Sequence, residues 1–154
     1  MVLENREEKF KRLATARMRK IQDVMLLLQN LSYQRFYEYS DNEITELFDA
    51  YNNKGVELRK SFMTKELVDT NSLTSEFKFS SSPTSEENIK FHRLAEARLS
   101  KCFKIANTIN NLSNKNNYSY SEDDVNRLFS AYETIGVACR LNFQESYIVE
   151  NMFE

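Results

Sequence analysis

Shifted by 81 residues, the chain aligns with itself without a gap, and no other property of the sequence limits the possible folds so tightly. KFKRLATARMRK (Lys9–Lys20) lies over KFHRLAEARLSK (Lys90–Lys101), NLS (Asn30–Ser32) over NLS (Asn111–Ser113), and LFDAY (Leu47–Tyr51) over LFSAY (Leu128–Tyr132). Gly55, Val56, Arg59 and Phe62 fall on Gly136, Val137, Arg140 and Phe143. From residue 9 to residue 62, 22 of 54 positions are identical to their counterparts, where unrelated segments would share about 3. Such self-similarity marks duplicated units, each too small to bury its own apolar face.

Each copy reads as helix, short loop, helix. Phe10, Leu13, Val24, Leu27, Leu28 and Leu31 recur at helical spacing and cover about a third of one helix. Ile44, Leu47, Phe48, Tyr51, Leu58 and Phe62 do the same for the next, which Ser40-x-x-Glu43 opens as a capping box; Ser121-x-x-Asp124 is its shorter counterpart. In the second copy the spacing predicts helices at 86–112 and 122–147. Two glycines and one proline in 154 residues are too few for the regular turns of an all-β fold. The short loop Asn30–Tyr39 implies antiparallel helices. Residues 1–66 are therefore one hairpin repeat, 67–85 a linker and 86–154 the second repeat. The stretch Asp69–Ser85 is rich in Ser and Thr and holds Pro83; Phe77 and Phe79 are placed to pin it to the helices. Two hairpins can bury each other's stripes. The expected fold is all-α: a four-helix bundle of two duplicated antiparallel hairpins sharing one core, with internal pseudo-two-fold symmetry.

The pattern F-x-R-L-A-x-x-R-x-x-K, then N-L-S, then Y-x-Y-[ST]-[DE], then V-x-x-[IL]-F-x-A resembles a short helical-hairpin module of small proteins from bacterial phages, plasmids and conjugative elements. Phe91–Lys101, Asn111–Ser113, Tyr118–Glu122 and Val125–Ala131 match it best. The first copy departs at Tyr33, Phe36 and Ile44. The resemblance covers both copies and implies a helical fold and a mobile-element setting. It brings no activity with it.

Charge recurs where apolar side chains are expected. On the helical wheel Arg17 and Lys20 fall among Phe10, Leu13, Val24 and Leu31, and Arg98 and Lys101 fall among Phe91, Leu94, Ile105 and Leu112. A buried cation without a partner is costly, so each needs one. Folding each hairpin on itself brings Arg17 opposite Gly55 and Lys20 opposite Tyr51, with Arg59 and Arg140 a turn away. Two readings follow. Arg17, Lys20, Tyr51, Arg59, Arg98, Lys101, Tyr132 and Arg140 build an anion or partner site near the two-fold axis. Alternatively, Arg17 and Arg98 are structural, stacking on Tyr51 and Tyr132 or pairing with Glu43 and Asp124 of the opposite hairpin.

A second asymmetry concerns apolar surface. Met25, Leu26 and Leu27 stand where the second copy has Ala106, Asn107 and Thr108. Either the linker or the segment Tyr147–Phe153 covers this wider face, or it is a partner surface. A third feature is the cluster Arg6, Lys9, Lys11, Arg12, Arg17, Arg19 and Lys20, diluted by Glu4, Glu7 and Glu8. With a net charge of −2 it reads better as a solvated helix face than as a nucleic-acid footprint.

Little points to catalysis. His92 is the only histidine, is not repeated, and reads as an exposed helix residue. No nucleophile elbow, phosphate loop or metal-ligand spacing is present, so no catalytic residue, metal or cofactor is expected. The charged start MVLENREEKFKR does not read as a secretory signal, and the longest apolar run, Val24–Leu28, is too short to span a bilayer. Cys102 and Cys139 replace Ile21 and Leu58 and read as buried thiols, which suits the cytoplasm. The expectation is a non-catalytic, cytoplasmic helical binding or regulatory protein acting through a protein partner, with homo-oligomerisation open. An anionic small-molecule sponge or sensor is the first alternative and a nucleic-acid-binding accessory factor the second.

Overall fold

Four long helices make the molecule, each started by a side-chain cap that the local sequence supplies. The computed structural model describes residues 3–64, 66–150 and 152–153, and for residues 145–150 the backbone only. Helix α1 (Arg6–Gln29) begins at Asn5, whose side chain accepts from the Glu8 N–H at 2.8 Å. Helix α2 (Asp41–Met63) begins with the full Ser40/Glu43 capping box, and α3 (Glu86–Asn110) begins at Ser85, which accepts from the Asn88 N–H. Helix α4 spans Glu122–Glu150. Glutamate or aspartate lies in every first turn, where it complements the positive end of the helix dipole. Both Asn-Leu-Ser sequences form a single 3-10 turn at the end of α1 and of α3. Two tyrosines then brace the loops: Tyr39 donates to the Ser32 carbonyl (2.8 Å) and Tyr120 to that of Ser113 (2.7 Å). No β-strand occurs among the described residues. The fold is an all-α four-helix bundle.

The packing order differs from a pair of self-packed hairpins. Helix α1 packs on α3 and α4, and α2 packs on α3 and α4, so the two helices of one hairpin lie diagonally opposite each other. Helices α1 and α3 run antiparallel, since Arg17 meets Thr108 and Arg98 meets Leu27. Helices α1 and α4 run parallel, from Arg6 beside Ser119 to Met25 beside Cys139. Helices α2 and α3 are also parallel, from Glu43 beside His92 to Lys54 beside Phe103. A short loop still reverses the chain, as expected, but it crosses the end of the bundle diagonally and does not join neighbours.

This arrangement moves the buried stripe of α1. Phe10, Ala14, Met18, Ile21, Met25 and Leu28 are buried, while Leu13 is half-buried and Leu27 is 48 % exposed. A helix wedged between two partners uses the alternating spacing of four and three residues (14, 18, 21, 25, 28), which a stripe centred on Leu13 and Leu27 misses. One continuous core draws on all four helices and on linker residues Phe77 and Phe79.

Core contacts recur in pairs whose members lie 81 positions apart. Phe10 and Phe62 pack with Tyr120 and Phe129 at one end of the bundle; Phe91 and Phe143 pack with Tyr39 and Phe48 at the other. Between them, the rings of Tyr51 and Tyr132 stack face to face, 4.1 Å apart and 5° from parallel. Each hydroxyl donates to the other's backbone carbonyl, at 2.5 and 2.7 Å. Burial pushes both phenols far above their ordinary pKa, so both protons stay on the oxygens that donate them.

Candidate functional site

The basic residues singled out in the sequence do not converge on one pocket. The stacked rings of Tyr51 and Tyr132 occupy the centre where an anion would have to sit. Arg17 and Arg98 are half-buried in the α1/α3 interface, where Arg17 donates to the Thr108 carbonyl (2.8 Å) and Arg98 to the Leu27 carbonyl (2.7 Å). They meet neither the tyrosines nor Glu43 and Asp124. Arg59 and Arg140 lie in the other interface, above the rings of Phe129 and Phe48, and Arg59 also donates to Asn126. Lys20 and Lys101 point to solvent.

A physical reason for the two arginines follows from the helix ends. Neither α1 nor α3 has a basic residue in its own last turn. The final carbonyls of a helix lack intrahelical donors and carry the negative end of its dipole. Arg17 supplies a cation to the last turn of α3, and Arg98 supplies one to the last turn of α1. Replacing both by methionine should lower stability by about 1 kcal/mol per site, the scale of a partly exposed charged hydrogen bond. Urea denaturation checks this. Stability equal to or above wild type would mean that the arginines are a strained site waiting for a ligand.

Two buried polar clusters escaped the sequence reading. His92 is buried, not exposed: its Nε2 donates to Glu43 Oε2, and its ring lies 4.4 Å from that of Phe79. Asn88 also donates to Glu43, at 3.1 Å, and to the Glu38 carbonyl, at 2.8 Å. Burial pulls the Glu43 pKa upward, but hydrogen bonds from Asn88, the Ser40 N–H and His92 outweigh it and hold the carboxyl below its ordinary value of 4.5. A carboxylate depressed in the folded state stabilises above the unfolded pKa, and that stability is lost as pH falls through the folded pKa. Wild type should therefore lose stability as pH drops below about 4.5, and Glu43→Gln should flatten this acid limb. Denaturation midpoints between about pH 3 and 6 measure it, and parallel curves for the two proteins would refute it.

The second cluster surrounds Lys54, which is 2 % exposed. Its ammonium donates to Glu57 (2.9 Å) and to the Thr74 carbonyl (2.5 Å), and lies over the Phe103 ring. Burial depresses its pKa against the pull of Glu57. Ile135 stands at the matching position of the second copy, so comparison of the copies marks Lys54 as unusual even without coordinates.

These clusters hold the linker in the groove between the parallel helices α2 and α3. Thr74 is gripped by Lys54, Glu57 and Asn107. The Phe77 N–H donates to Ser100, that of Phe79 to Glu96 and that of Ser80 to Glu46. Phe77 and Phe79 are buried. The matching groove between the parallel helices α1 and α4 has no linker. It is a cleft of about 780 Å³ lined by Phe10, Ala14 and Met18 on one wall and Leu128, Ala131 and Ile135 on the other, with Lys11, Arg19, Arg127 and Asp124 among its charged lining residues.

Met25 does not belong to any partner surface: it is 1 % exposed and its carbonyl accepts from the Cys139 thiol. Leu26 and Leu27 are exposed, at 51 % and 48 %. The linker lies elsewhere, and the alternative cover, Tyr147–Phe153, falls largely outside the described side chains. Cys102 and Cys139 are buried free thiols, each pushed up to about 12 by burial. Among the described residues no group of His, Cys, Asp and Glu is placed to hold a metal, and no helix is long and apolar enough to cross a membrane.

Fold and clefts together define a four-helix bundle with one groove filled by its own linker and one open. The chain matches no family model, no curated protein and no solved structure.

Proposed function

We propose that this protein is a non-catalytic binding protein that engages a protein partner through the groove between α1 and α4. The observation that carries the reading is the groove's counterpart. Between α2 and α3 the same helical walls seat an extended polypeptide, the linker, by its backbone and two phenylalanines. A surface of that shape, left open, suits a second polypeptide better than a small molecule. The arginines that suggested an anion sponge are committed to helix ends and aromatic faces. Several exposed cations have acidic neighbours, as with Arg12 on Glu4 and Lys11 on Glu7, which weakens the case for nucleic acid. We read the paired contacts as the trace of a duplicated hairpin, and the resemblance of its motifs to phage and plasmid proteins as pointing to an accessory role in a mobile element.

Native mass spectrometry of the protein purified from the cell that encodes it tests the reading. The expected result is a co-purifying polypeptide, absent when Thr134→Trp fills the groove from an exposed position. A bound nucleotide, or a polypeptide retained by the variant, would overturn it.

A further inference from the structure

The linker-filled groove gives the geometry of an occupant, and residue-by-residue differences in the open groove give its chemistry. The floors agree. Phe91, Ala95 and Leu99 under the linker correspond to Phe10, Ala14 and Met18, and Leu47 corresponds to Leu128. Covered by the linker, the first set and Leu47 are 0 % exposed; their open counterparts are 2–8 % exposed. The same floor is thus present in both grooves and lacks its cover in one.

The anchors differ. Where Glu46 accepts from the linker backbone, the open groove has Arg127, and where Ser100 does, it has Arg19. His92, under the ring of Phe79, is replaced by Lys11. Of the four side chains that accept from the linker's backbone N–H groups, Ser100 and Glu46 are replaced by the cations Arg19 and Arg127, and Glu96 and Glu57 by the uncharged Thr15 and Ala138. At the other end, Lys54 and Asn107, which both donate to the Thr74 carbonyl, are replaced by Ile135 and Leu26. Leu26 continues the row Thr15, Arg19, Gln22 at helical spacing, so its exposed side chain extends the groove's apolar end. The linker itself does not suit this groove: its N–H groups would meet Arg19 and Arg127, and Lys78 would add like charge.

We propose that the α1/α4 groove binds an extended segment of a partner protein that begins with an aliphatic residue, carries aromatic side chains at alternate positions, and ends in carboxylates. The direction follows from the linker, which runs from Thr74 at the Lys54 end to Ser80 at Glu46. A segment in the same direction places its first residue against Leu26 and Ile135, its aromatic rings on Phe10 and Met18, a carboxylate flanking the first ring at Arg19, and its acidic end at Arg127 and Lys11. Lys11 and Arg127 hold exposed ion pairs with Glu7 and Asp123, and Asp124 also lines the groove. Such exposed pairs are weak, so a peptide carboxylate binds by taking over these cations in charge-assisted hydrogen bonds. The proposal rests on the protein-binding reading and deepens it.

The test uses fluorescein-labelled peptides and the whole protein, read by polarisation and by backbone amide shifts. The probe is Leu-Ser-Glu-Phe-Glu-Phe-Asp-Glu. One control reverses its order and another replaces every acidic residue by lysine. The probe is expected to bind and to shift amides of α1 and α4. Its affinity should fall at least tenfold in Arg19→Glu with Arg127→Glu, two exposed positions, and change less than threefold in Lys101→Glu, outside the groove. A further variant, Thr15→Glu with Arg19→Ser and Arg127→Glu, should lose the probe and gain the chain's own linker sequence, Thr-Ser-Glu-Phe-Lys-Phe-Ser-Ser. If the lysine peptide binds the groove as well as the probe, or the reversed one does, the acidic and directional assignment is overturned and the groove remains a peptide site. If no peptide moves the α1 and α4 amides, this inference is overturned outright. The protein-binding reading then stands or falls on the co-purification experiment alone.

Discussion

Tyr132→Ala should destabilise the protein by about 3–5 kcal/mol, the range for removing a large aromatic side chain from a packed core. The ring of Tyr132 is 3 % exposed, stacks on Tyr51 and covers Gly55. Its removal opens a void that neither neighbour can fill, because a glycine has no side chain to move and Tyr51 is held by its own hydrogen bond to the carbonyl at position 132. Tyr132→Phe separates packing from hydrogen bonding. It deletes only the hydroxyl, and the carbonyl of Tyr51 that loses this donor lies mid-helix, with a backbone partner of its own. That variant should lose about 1 kcal/mol, the net worth of one hydrogen bond. Guanidinium denaturation of both variants measures the two values. A loss below about 1 kcal/mol for the alanine variant would mean that the bundle is not packed through this stack.

Gly136→Leu is the second large effect, with an expected loss of about 1–3 kcal/mol or more through overpacking, and Gly55→Leu should follow it. A Cβ built at Gly55 stands 2.7 Å from Cε1 of Tyr132, and one at Gly136 meets Tyr51 more closely still. Alanine is the more discriminating substitution. In an open helix, Gly→Ala gains about 1 kcal/mol. Here the methyl group meets a ring that is buried, stacked and hydrogen-bonded, so it has no room to retreat, and the sign should reverse. A pair in direct contact should also be non-additive: Gly136→Ala should cost less in a Tyr51→Leu background than in wild type. Thermal unfolding decides. A Gly136→Ala variant as stable as wild type would show that the helices can separate at no cost.

The repeat and the apolar spacing made the four helices and their approximate ends legible without coordinates. The predicted 86–112 and 122–147 compare with Glu86–Asn110 and Glu122–Glu150. The repetition of Gly55 as Gly136 was visible too, although not that each faces the tyrosine of the other half. Helix adjacency was not legible. Loop length constrains direction but not whether a loop joins neighbours or crosses the bundle end. Placing α1 against α2 is what put Arg17 near Gly55, when its partner is the carbonyl of Thr108. His92 shows a different limit. Its burial comes from Phe79 and Glu43, distant in sequence, and periodicity within α3 carries no information about them. The two grooves mark a third. Each residue at the rim of the open one looks like an ordinary solvated side chain until the filled one shows what its counterpart holds.

The diagonal placement of each hairpin has a consequence for biosynthesis. Neither α1 nor α2 has the other as its main packing partner; both depend on helices that follow the linker. The first half of the chain therefore leaves the ribosome with no surface to fold against. At about 5–20 residues per second, synthesis of the roughly 70 residues that complete the second half takes about 4–14 s. Throughout that interval Phe10, Met25, Leu28, Phe48 and Tyr51 are exposed together on a nascent chain. The contacts between helices span tens of positions, so folding should be slower than in bundles whose successive helices are neighbours. The nascent first half is thus the stage at which this chain depends most on whatever shields apolar segments in its cell.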